Sequence, residues 1–218
     1  MNYLSHYYID KHIEEPYFTL GTVLPDLRKG FSKVYNKKFK RSSPEMQENS
    51  VFRHMHLGIL RHYQVDAVFH NSKAFAENVE IIKRKMQDRI PTLRRAYFAA
   101  HILYEMLLDR QIIKEEEHWA DKFYKKLAQT ETESISLFFQ ENDIGNDSVF
   151  IERFDNFLKF KYLYSYQDTE TFIRAFSRVY LRGVGSKLEF ETLDTLKMIV
   201  EDMDEILKLK WRNTFNHI

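Results

Sequence analysis

The sequence predicts an all-α protein, a single helical domain spanning residues 1–218. Only 6 glycines and 4 prolines punctuate the chain, and no alternating apolar–polar pattern persists long enough to make a strand. Apolar residues instead recur three and four apart, the period of a helix with one buried face. The stretch 96–113, AYFAAHILYEMLLDRQII, goes further. At about 100° per residue its apolar side chains cover nearly every face, so it should be the buried helix on which others pack.

Taken in order, a short helix is expected over residues 2–10, ended by Glu14-Glu15-Pro16. Residues 17–27 read as a second short segment, helical or mixed, because Gly21 and Pro25 weaken its regularity. Residues 30–44, GFSKVYNKKFKRSSP, are the most polar and basic run and read as an exposed loop. A long helix follows over about residues 45–87, with Gly58 or Asn71 as the places for a break. Ile90-Pro91-Thr92 stops it, and Thr92 is placed to cap the central helix. Residues 114–142 carry Glu115-Glu116-Glu117, an acidic run that suits a helix start. Residues 142–147, NDIGND, make a turn, after which Asp147 or Ser148 caps a helix to about residue 164. Asp168 caps another to about residue 181, residues 183–186 turn the chain, and a last amphipathic helix covers about 190–214.

Composition narrows the function. Hydrophobic residues make up 44% of the chain, enough for a sizeable core, and aromatics 15%, mostly Phe and Tyr. Thirty-three Lys and Arg against 32 Asp and Glu leave a net charge of +1, which gives no general attraction to nucleic acid or anionic membrane. Without cysteine there is no disulfide or thiolate chemistry, so any metal must take nitrogen and oxygen ligands. The N-terminus lacks the basic start and apolar run of a signal peptide, and no uncharged apolar run reaches membrane-spanning length. A cytoplasmic protein is expected.

Two polar stripes interrupt this apolar pattern. His101, Glu105 and Asp109 follow one another at i, i+4, i+8 on the central helix, turning by roughly 40° at each step. His101 and Glu105 fall among Phe98, Leu108 and Ile112, where a carboxylate is costly unless a cation compensates it. His62, Asp66 and His70 repeat the spacing earlier in the chain. Side chains four apart on a helix have Cβ atoms about 5–6 Å apart, so an imidazole and a carboxylate can share one ion. A hydrogen-bonded His–Asp ladder explains one stripe alone; two matching stripes favour a metal. His6, in the aromatic run YLSHYYI, and Asp26, after LGTVLP, are further candidates, each also explicable as a structural hydrogen-bonding residue. Arg174, Arg178, Arg182 and Lys187, near the glycine turn, could contact phosphate or merely offset the dipole at a helix end. The chain contains no phosphate loop, dinucleotide fingerprint or nucleophile elbow.

These residues bring out a resemblance to the acyl carrier protein phosphodiesterase family, a divergent branch of the metal-dependent HD phosphohydrolases. MNYLSH, with His6, is similar to that family's Met-Asn-Phe-Leu-Ala-His opening. LGTVLPDLRKG, with Asp26 and Gly30, resembles its Gly-Asn-Leu-Leu-Ala-Asp-Phe segment. GILRHYQVDAVFHN, with Gly58, His62 and Asp66, resembles the segment built on Gly-Ile, a His, and Ile-Asp four further on. RVYLRGVGSKLEF resembles the basic turn before the family's last helix. The chain departs from the family within the site, with His70 in place of an Asp and Glu105-Met106 in place of an Asp-His pair.

The resemblance implies an HD-like helical bundle and a metal-dependent phosphodiesterase releasing 4'-phosphopantetheine from acyl carrier protein, or acting on a small phosphodiester. His6, Asp26, His62, Asp66, His70, His101 and Glu105 are the candidate metal shell, with Asp66 or Glu105 as general base and Arg178 and Arg182 on the phosphate. Mn²⁺ or Fe²⁺ fits a mixed nitrogen and oxygen set, and Zn²⁺ is an alternative. Two rivals stand beside this: a zinc-dependent phospholipase or nuclease type of hydrolase, and a helical interaction module without catalysis.

Overall fold

The computed structural model describes residues 1–31, 39, 48–145, 147–216 and 218. The described residues form an all-α fold, with ten α-helices and two short 3-10 helices. The helices are α1 (Tyr3–Ile9), α2 (Pro16–Phe31), α3 (Ser50–His70), α4 (Lys73–Arg89), α5 (Ala96–Glu116), α6 (His118–Leu127), α7 (Thr132–Glu141), α8 (Asp147–Phe160), α9 (Thr169–Val184) and α10 (Phe190–Leu207). The 3-10 helices cover Tyr162–Tyr166 and Trp211–Phe215. None of the described helices is long and apolar enough to cross a membrane.

The chain folds into two compact units, each built from separated stretches. The first comprises Met1–Ser5, Asp66–Glu117 and Leu163–Ile218; the second comprises His6–Val65 and His118–Tyr162. In the first unit α5 is the core. Ala99, Leu103, Tyr104, Leu107, Leu108 and Ile112 are fully buried, and α4, α9 and α10 pack around it. Its hydrophobic residues point in all directions, as its sequence required. In the second unit α2 packs on α6 and α8, and α7 on α8, about a phenylalanine core in which Phe139 meets Phe150 at 4.9 Å.

Several boundaries differ from those expected, each for a local reason. Gly21 and Pro25 do not interrupt α2, which runs for 16 residues. Gly21 and Gly58 instead let α2 and α3 cross at close range. A Cβ on either would fall closer than 3.0 Å to backbone of the other helix, so Gly58 lies inside α3 and does not break it. The break comes at Asn71, where Ser72 Oγ accepts from Phe75 N (3.1 Å) and starts α4. Thr92 does not cap α5; it lies in a turn closed by Leu93 N donating to Ile90 O (2.9 Å), and the N-cap is Arg95, in the left-handed region at φ 52°. Glu115 and Glu116 end α5 rather than opening a helix. Two carboxylates at a helix C-terminus oppose its dipole, and Arg212 answers them at 2.9 and 2.7 Å. Residues 114–142 accordingly divide between the end of α5, α6 and α7. Asp168 caps α9 as expected, accepting from Thr171 N at 2.9 Å. The last helix stops at Leu207, with a 3-10 turn beyond it. The loop expected over residues 30–44 lies outside the described residues, save Gly30 and Phe31, which end α2, and Phe39.

Candidate metal centres

In the first unit three predicted ligands meet. His70, the last residue of α3, and His101, in the second turn of α5, both direct Nε2 at the same oxygen of Glu105. The distances to Oε1 are 3.0 and 2.9 Å, and the two rings lie 4.9 Å apart. The helical spacing explains His101 and Glu105; His70 comes from another helix, 35 residues away in sequence. The donor atoms of all three lie within 4.8 Å of one another. The side chains are 32%, 30% and 16% exposed, so the cluster is covered but open to small solutes.

Positive charge already gathers at this carboxylate. The α-ammonium of Met1 lies 3.1 Å from Glu105 Oε1 and 2.7 Å from Asp66 Oδ1. Burial works to raise the Glu105 carboxyl; the Met1 ammonium and the hydrogen bonds from His101 and His70 outweigh it and hold the group well below the usual carboxylate range. Glu105 is therefore an anion at neutral pH.

The third member of the stripe has a different task. Asp109 is fully buried and accepts from Leu4 N (3.1 Å), Ser5 N (2.7 Å) and Ser5 Oγ (2.6 Å). Leu4 and Ser5 stand in the first turn of α1, whose amides have no partner within their own helix, so Asp109 caps α1 from a distance of more than 100 residues in sequence. Burial pushes its carboxyl up from 3.8 to about 7, against these hydrogen bonds.

That shift has a signed consequence for stability. Between about pH 4 and pH 7 the folded chain holds a proton on Asp109 that the unfolded chain has released. The contribution of this group is therefore full at the acid end and is lost as pH rises through about 7. Asp109→Asn removes the titration, so its stability in urea denaturation should fall less than that of wild type between pH 4 and pH 8. Parallel pH profiles for the two proteins would refute this.

In the second unit the structure brings His6, His62 and Asp26 together. The close passage of α2 and α3 at Gly21 and Gly58 sets His62 against α2, where its Nδ1 donates to Thr22 O at 2.9 Å. A carbonyl oxygen only accepts, so Nδ1 carries a hydrogen and Nε2 is the ring nitrogen turned toward Asp26. Asp26 Oδ1 lies 3.9 Å from that Nε2, and Lys29 Nζ approaches the same oxygen at 3.2 Å. The His6 ring stacks on that of His62 with centroids 4.2 Å apart, both rings buried. A metal-ligating histidine commonly has its other ring nitrogen held by a carbonyl in this way.

Of the remaining candidates, Arg178 and Arg182 are exposed on α9. Sequence reasoning missed the Met1 amine and the Thr22 carbonyl. Both are main-chain groups, and no side-chain pattern announces them. Set against known proteins, the chain matches no family model, no curated protein and no solved structure.

Proposed function

We propose that this protein is a metal-dependent phosphodiester hydrolase whose divalent cation is held by His70, His101 and Glu105. One observation carries the proposal: two imidazole nitrogens from different helices converge on one oxygen of a half-buried, ionised carboxylate. The three donor atoms lie within 4.8 Å of one another, so His70, His101 and Glu105 would hold one cation in place of their hydrogen bonds. The donor set, nitrogen and oxygen without sulfur, suits Mn²⁺ or Fe²⁺ and accommodates Zn²⁺.

When bound, the ion supplies Lewis acidity and lowers the pKa of a coordinated water. The chain's own groups do the rest. Glu105, held as a strong anion, is a ligand and a poor general base near neutral pH. With Glu105 as the ligand, Asp66, 23% exposed and itself paired with the Met1 ammonium at 2.7 Å, is the remaining carboxylate for proton abstraction. His6, His62 and Asp26 offer a similar donor set in the second unit, with His62 Nε2 turned toward Asp26. The substrate to try first is acyl carrier protein bearing its phosphopantetheine arm, followed by small phosphodiesters.

Metal analysis tests the core of this reading. Protein stripped with EDTA and reloaded with Mn²⁺, Fe²⁺ or Zn²⁺ should retain stoichiometric metal after gel filtration and cleave bis(p-nitrophenyl) phosphate or the carrier-protein substrate only when loaded. Failure to take up any of the three ions would leave a non-catalytic helical module with a hydrogen-bonded His–Glu cluster. Tight metal without phosphodiester cleavage would remove the hydrolase and keep the centre.

A further inference from the structure

Away from the histidine cluster, the first unit contains a cleft of about 130 Å³ between two turns. One wall is the segment from Ile90 to Arg94, leading into α5; the other is the segment from Ser186 to Glu189, leading into α10. The walls are fastened together. Tyr180 Oη donates to Arg94 O at 2.8 Å, and Arg95 Nη1 donates to Gly183 O at 3.1 Å. Gly185 takes φ 75° to end α9 and turn the chain toward Ser186, a conformation that a side chain would strain.

The chemistry of the lining is one-sided. Arg94 and Lys187 bring two positive charges, and neither makes an ion pair among the described residues. Thr92, Ser186 and Thr192 add three hydroxyls, that of Ser186 donating weakly to the Lys187 carbonyl at 3.5 Å. Against them stands one carboxylate, Glu189. Tyr180 also lines the cleft: burial raises its phenol, and the hydrogen bond to the Arg94 carbonyl and the Arg94 charge counter the rise. Arg178 and Arg182 each stand two positions from Tyr180, on the opposite side of α9, and take no part in the lining.

We propose that this cleft binds a phosphate-type oxyanion, with Arg94 as its bidentate donor and Lys187 as its second charge. The volume is well below the roughly 300 Å³ at which sites for whole organic ligands begin, so a single anionic group is what fits. A guanidinium fork, an ammonium and several hydroxyls match a tetrahedral ion with four acceptor oxygens better than a planar carboxylate. The proposal does not depend on the metal centre and is tested without it.

EDTA-treated full-length protein is titrated with inorganic phosphate, and separately with acetate, at constant ionic strength, followed by calorimetry and by amide NMR shifts of residues 90–95 and 185–192. Phosphate should bind in preference to acetate. Arg94→Gln and Lys187→Gln should each weaken it about tenfold, the loss of one charge-assisted contact. Glu189→Gln, which removes the opposing charge, should tighten it several-fold. Arg174→Gln, which breaks only a surface pair with Glu170, should change nothing. Phosphate affinity that ignores Arg94 and Lys187, equal affinity for acetate, or no binding at all would each overturn the assignment.

Discussion

Replacing Asp204 with alanine should cost about 3–5 kcal/mol of folding stability. Asp204 is buried on α10 and accepts from four donors on α5. Arg110 Nε and Nη2 reach its Oδ2 at 3.0 and 2.8 Å, Gln111 Nε2 reaches Oδ1 at 2.7 Å, and Lys114 Nζ reaches Oδ2 at 3.0 Å. Arg110 is only 2% exposed and also donates to the carbonyls of Tyr166 and Gln167 and to Thr169 Oγ1 (2.9 Å). One guanidinium thus ties α5 to α10 and to the segment entering α9. The cost of losing Asp204 comes less from the missing contact than from the charge left behind, because a desolvated guanidinium without its carboxylate has no cheap way to be rehydrated. Asp204→Asn, which keeps an acceptor and the shape, should cost less. An Arg110→Met, Asp204→Leu pair should recover much of the loss, since removing both charges removes the orphan. Equilibrium urea denaturation measures all three. A loss below about 0.5 kcal/mol for Asp204→Ala, the range of ordinary surface changes, would show that the network adds nothing.

Glu105→Gln should lower divalent-metal affinity by at least about 100-fold and reduce metal-dependent turnover with it, if the proposed centre is correct. The substitution keeps the side-chain volume and leaves His70 and His101 in place, so what it removes is the charge on which they converge. In the hydrogen-bonded cluster each Nε2 donates to the carboxylate; a bound ion would displace those hydrogens and become the link to the carboxylate. Loading should therefore perturb the ring signals of His70 and His101 together in NMR, and in Glu105→Gln neither should respond at the same ion concentration. His101→Ala should weaken loading and leave the fold intact, because its ring is partly exposed. If wild type and Glu105→Gln bind Mn²⁺ and Zn²⁺ equally, Glu105 is no ligand. If neither binds and Glu105→Gln is simply less stable, the cluster is structural.

How far residues announce such roles varies along the chain. His101 and Glu105 were legible because i, i+4 spacing on a helix with apolar residues all round leaves a carboxylate needing a partner. Arg110 and Asp204 carried the same signal, each a charge set within or beside an apolar stripe, and could have been paired on that ground. Asp109 shared the stripe and was indistinguishable from a ligand by spacing. Thr92 and Arg95 show the converse: Thr92 had the better capping side chain, yet the turn at Ile90 places Arg95 at the start of α5.

What the sequence by itself determined is the all-α class, the burial of α5 on most sides, the cap at Asp168 and the set of imidazoles and acids available for ligation. Those follow from helical periodicity and local chemistry, which act within a few residues. Tertiary structure alone decided which partner each polar group received: His70 for Glu105, the amides of α1 for Asp109, the Thr22 carbonyl for His62, and an oxyanion-sized cleft for Arg94 and Lys187. The physical reason is that spacing fixes the direction in which a side chain leaves its own helix. What it meets there depends on where another helix passes, and close crossings such as that of Gly21 and Gly58 exist only once the chain has packed.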